Sequence, residues 1–199
     1  ISGGMDTMSS ASGLGQVSAI VCLLILVYAA FPIAHVVRTA GDSLSASKSS
    51  SVDFIFRDFV TENIKALGHI TALVALFGAI CSTVGWVLNS DGMSMSVDLY
   101  GGFAYAYALP LDATGAFIEM IRLDFVGGVI SDFFGWDLTG SEASGYNIDG
   151  LVAVGYEYAQ VILILAKLYL ALAIYHFFYG ILSTLTRWIQ RPSLPFKSS

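Results

Sequence analysis

The chain has 199 residues, of which 56% are hydrophobic and only 12% charged, with a formal net charge of −6. A soluble domain carries roughly 25% charged residues, so that class is excluded; the high apolar content also excludes intrinsic disorder. The 9 Lys and Arg against 15 Asp and Glu leave no basic excess to neutralise phosphates, so the composition argues against nucleic acid as a partner. What remains is one all-α integral membrane domain whose first partner is the lipid bilayer, with bound lipid expected along its spans.

The chain begins at Ile1 rather than Met, as expected of a processed product or a piece of a longer chain. The first apolar run is too long for a signal-peptide core. It predicts a first transmembrane helix over 17–37, with Pro32 kinking it near Arg38. Residues 41–51 are rich in Ser and Ala and predict a flexible loop. In the following stretch, apolar residues at 52, 55, 56, 59 and 60 share one helical face, and Asp53 and Arg57 stand at i,i+4. An amphipathic interfacial helix over 52–64 is therefore expected before the chain turns into span two.

The second span is predicted over 66–88, bracketed by Lys65 and Asn89. Gly68, Ala72, Ala75, Ala79 and Ser82 recur at spacings of 4, 3, 4 and 3. That is one continuous small-residue seam, the usual surface for close packing of membrane helices. Cys22 in span one and Cys81 in span two lie in apolar runs without metal-type spacing, and read as buried small hydrophobes.

Residues 90–150 are too many for a bare loop. They hold Asp91, Asp98, Asp112, Glu119, Asp124, Asp132, Asp137, Glu142 and Asp149, an acidic surface. The run Tyr100 to Ala108 alternates aromatics with small residues, as at a membrane interface. We expect a structured acidic outer loop with short interfacial helices or a shallow re-entrant hairpin. Four charged residues within 119–132 argue against a fourth span.

The third span is predicted over 151–186. At 1.5 Å per residue it exceeds the ~30 Å hydrocarbon core, so it must tilt strongly or project. Ala159, Ala166, Ala173 and Gly180 recur every seventh residue as a second small-residue seam. Glu157, Gln160 and Lys167 cluster on a different face, which cannot look at lipid cheaply. Span three therefore needs neighbours on two sides, more than two other spans readily supply. The basic residues sort as well: Arg38, Lys48, Arg57 and Lys65 fall in the first connection, and Arg187, Arg191 and Lys197 after span three. The positive-inside rule then places the N-terminus outside and the C-terminus inside, in a bacterial inner or mitochondrial inner membrane.

His35 and His69 should both sit near the inner boundary, with His176 higher along its own helix. The run from Ala166 to Ile181, with Tyr175-His176 followed by Gly180-Ile181, resembles the haem-ligating helix of succinate dehydrogenase membrane-anchor subunits. The resemblance implies that His176 ligates haem b, with the second ligand from a partner subunit, in a respiratory electron-transfer complex. The residues themselves show no catalytic constellation, phosphate loop or metal-ligand spacing. The leading expectation is a structural, non-catalytic transmembrane subunit of a larger assembly, built with other membrane subunits or copies of itself. A haem-carrying anchor is the first alternative. A channel or secretion-apparatus component, with Lys167 and Glu157 lining a path, is the second.

Overall fold

A computed structural model describes residues 13–90, 128–129, 132–133 and 146–190. Most of the expected outer loop over 90–150, including its interfacial helices, lies outside the described residues.

Three long helices make up the fold: α1 (Gly13–Ala46), α2 (Ser51–Val87) and α3 (Ile148–Gln190). Each contains a stretch long and apolar enough to cross a membrane. All three exceed their predicted spans. α1 runs on to Ala46, so the loop expected over 41–51 shrinks to the residues between Ala46 and Ser51. Pro32 lies inside α1, which remains helical on both sides of it. α3 has 43 residues and is about 64 Å long.

Residues 52–64 do not form a separate interfacial helix. They are the first turns of α2, continuous with the apolar stretch 66–88. The apolar face predicted there stays exposed: Val52, Ile55, Phe56 and Phe59 all face outward, and only Val60 and Ile64 pack on α3. Ser50 caps the start of α2, its hydroxyl accepting from the backbone N–H of Asp53. Phe54–Phe59 is a π-helical turn, after which α-helix resumes from Val60. At the far end the last turn is closed by Leu88, and Asn89 adopts a left-handed conformation with φ 47°. Asparagine tolerates that region better than most side chains.

α2 is the central element. It packs against α1 on one side and α3 on the other, and no comparable interface joins α1 to α3. The predicted seam explains why: Gly68, Ala72, Ala75 and Ala79 are all buried, as are Ile64 and Phe77. Small side chains let a neighbouring helix approach closely where lipid supplies no hydrophobic drive. Against α3, Ile64 meets Leu168 and Leu172, while Ala72 and Ala75 meet Ile164. Against α1, Cys22 and Cys81 are each 1% exposed and interlock reciprocally. The Cys22 thiol donates to the Cys81 carbonyl at 3.7 Å, and the Cys81 thiol to the Cys22 carbonyl at 3.9 Å. Ser18, Ala19 and Ala29 complete the buried side of α1.

Candidate functional site

Glu157 is the acidic residue expected to need a neighbour, and α2 provides one. The Ser82 hydroxyl donates to Glu157 Oε1 at 2.9 Å. At the next residue of each helix, the Thr83 and Tyr158 hydroxyls are 3.2 Å apart. The face of α3 that carries Glu157 is therefore the face that packs on α2, with Ala153, Val154, Ile164, Leu168 and Leu172 buried along it. This answers half of the expectation that α3 needs two neighbours.

The other half stays open. Ala159 is half-buried, while Ala166, Ala173 and Gly180 are exposed. A Cβ added at Gly180 meets nothing within 4 Å. The seam of α3 thus takes no part in packing within the described chain, whereas that of α2 does so throughout.

The packing partners also fix the relative height of residues on the three helices. Tyr28 of α1 meets Phe77 of α2 edge-on, and Leu168 of α3 meets Ile64. Counting along each helix from these contacts brings Arg38 and Lys65 to within roughly 5 Å of one level, and counting from Ile64–Leu168 and from Ser82–Glu157 puts Lys167 between about 0 and 10 Å from it, on the side of the apolar zone. His35 and His69 stand just above that level. Their Nδ1 atoms lie 3.3 Å from the Thr39 hydroxyl and 2.7 Å from the Lys65 carbonyl. The His69 ring stands edge-on to Tyr169 of α3. Lys167 therefore lies in the basic half of the apolar zone, about 15 Å in depth from Glu157.

At the opposite edge, Trp86 stacks on Tyr146 with ring centroids 4.7 Å apart. Trp86 Nε1 donates to the Asn147 carbonyl at 2.9 Å, and the Tyr146 backbone N–H donates to Asn89 Oδ1 at 2.8 Å. Along α2 this aromatic level is about 31 Å from the basic one. That separation equals the thickness of a bilayer's hydrocarbon core.

Beyond the basic level the three helices continue as a polar-bonded extension. Asp58 Oδ2 accepts from the Ser47 and Ser49 hydroxyls at 2.5 and 2.6 Å, and Oδ1 accepts from Arg57 Nε at 2.7 Å. The expected Asp53–Arg57 pair is replaced: Arg57 turns to Asp58, and Asp53 accepts from Ser50 and, at 2.5 Å, from Tyr179 of α3. Tyr175 donates to the Phe56 carbonyl. That carbonyl lies in the π-helical turn, whose altered bonding pattern presents a backbone acceptor to a neighbour. The Arg57 guanidinium first, then the Ser47 and Ser49 hydroxyls, hold the Asp58 carboxyl far below the usual carboxylate range. The Tyr179 and Ser50 hydroxyls lower Asp53 likewise.

His176 lies in this extension, exposed, with Nδ1 2.7 Å from the Leu172 carbonyl. No second histidine stands at its height among the described residues. Gln160 and Lys167 are half-buried. What sequence reasoning missed is the group Asp53, Asp58, Tyr175 and Tyr179. The signal was two tyrosines and two aspartates on helices that pack antiparallel. The chain matches no protein-family model, no curated protein and no solved structure.

Proposed function

We propose that this chain is a structural, non-catalytic transmembrane subunit of a larger membrane assembly. The reading is carried by the free face of α3. Its seam from Ala166 to Gly180 is exposed among the described residues, and past the basic level large apolar side chains remain exposed: Phe177, Leu182, Leu185, Trp188 and Ile189. α3 also outreaches its neighbour, since Tyr179 already contacts Asp53 near the start of α2, leaving about 16 Å of helix beyond. A free apolar helix end outside the hydrocarbon is costly, and a protein neighbour removes that cost. The basic level faces the inner compartment, putting the N-terminus outside and the C-terminus inside, in a bacterial or mitochondrial inner membrane.

The test is extraction in a mild detergent followed by mass measurement of the intact particle. An assembly larger than one chain is expected, shrinking when Ala173→Leu and Gly180→Leu are combined. A stable lone monomer in every mild detergent overturns the reading.

A further inference from the structure

We propose that the basic level formed by Arg38, Lys65 and Lys167 binds the anionic headgroups of phospholipids in the leaflet at that end of the molecule. Three observations converge on it. The three cations come from three different helices, yet packing contacts bring them to within about 10 Å in height, a spread that long basic side chains span, so they form a belt that no single helix displays. Between this belt and the Trp86–Tyr146 stack, the described residues hold no other Lys or Arg. The belt is therefore the last positive charge before the apolar zone, at the height where lipid phosphates meet hydrocarbon.

Arg38 and Lys65 are also accessible. The Arg38 side chain is 83% exposed, and its contact with Asp42, also exposed, is long at 3.9 Å. The Lys65 side chain is 43% exposed while bonded to Glu62 at 2.9 Å. The ammonium carries three N–H donors and the half-buried Glu62 takes one, so donors remain for a headgroup phosphate. Tyr169, exposed beside His69, adds the amphipathic ring that membrane interfaces favour. The site reads the phosphate plane and net negative charge rather than one headgroup's shape. This inference rests on the chain being membrane-embedded, and not on its belonging to an assembly.

The experiment uses the full chain in bilayers of phosphatidylcholine, with spin-labelled phosphatidylglycerol or phosphatidylcholine as the probe of the first lipid shell. The wild type is expected to prefer the anionic probe several-fold. Each of Arg38→Gln, Lys65→Gln and Lys167→Gln should lower that preference by roughly two-fold, below the limit for one cation near an anionic membrane surface. The triple variant should show none. High salt should reduce the wild-type preference without any substitution, which keeps the test decisive if the triple variant fails to fold. Arg187→Gln, in the extension, should leave the preference unchanged. Equal association of both probes with the wild type overturns the proposal. So does a triple variant that is folded and still selective, or displacement of the anionic probe by inorganic phosphate at matched ionic strength, which would mark a site for a soluble anion instead.

Discussion

Single side chains set the stability of the two ends and of the middle. Thr61 is 5% exposed, and its hydroxyl finds no hydrogen-bond partner among the described residues. A buried polar group left unpaired costs about 1–3 kcal/mol. Thr61→Val keeps the branched shape and removes the orphan, so it should raise stability by about 1 kcal/mol in denaturation measured in detergent. The Asp58 clip makes a different prediction. Its carboxyl is depressed in the folded chain, so its contribution is fully present above the unfolded value of about 3.9 and is lost as pH falls through the lower folded value. Thermal midpoints should therefore hold steady through mildly acid pH and drop only on strong acidification. Asp58→Asn should lower the midpoint at neutral pH and flatten that acid limb. An acid limb identical in wild type and variant would remove Asp58 as its cause. The two cysteines offer a direct check on the α1–α2 register. Copper phenanthroline should trap an intramolecular Cys22–Cys81 disulfide in the folded protein, lost in Cys22→Ser. Failure to form it would place the two helices in a different register.

At the scale of elements, the two small-residue seams look alike in sequence and behave differently in space. Ala75→Leu on α2 forces a branched side chain into the α2–α3 contact, and overpacking of this kind costs about 1–3 kcal/mol. Ala166→Leu on α3 should cost the isolated chain almost nothing, since that side chain is exposed. Comparing the two by thermal unfolding in detergent tests the packing, and equal losses would contradict it. Three helices, their order and their apolar lengths were legible in the sequence because hydropathy reports length directly. The α2 seam was legible because its spacing follows the helical repeat. Which face of α3 meets α2 was not legible: a row of alanines and a row led by Glu157, Ile164 and Leu168 are both plausible contact faces. The choice depends on whether Ser82 stands opposite Glu157. Nor was the continuity of 52–64 with α2 legible, because an amphipathic pattern appears whether a helix rests on lipid headgroups or on a second helix. The π-helical turn and its tyrosine partner left no pattern at all, since both depend on contacts across more than a hundred residues.

For the molecule as a whole, the proposed placement in a membrane rests on two anchor levels and one extension. In sealed vesicles, trypsin should reach exposed Lys48 only from the side of the basic level. Cleavage from both sides of uniformly oriented vesicles would contradict one fixed orientation. The row arrangement carries a further mechanical consequence. Three rods touching pairwise form a closed triangle, in which no rod moves without disturbing two contacts. Among the described residues α1 and α3 share no comparable interface, so packing runs through two joints, both on α2. The α2–α3 joint is tied at both ends, by Ser82–Glu157 and by Asp53–Tyr179. The α1–α2 joint is tied by the Cys22–Cys81 contact and, where the chain leaves α1, by Ser47 and Ser49 on Asp58. A change at α2 therefore reaches both neighbours, whereas a change at α1 or α3 reaches the other only through α2.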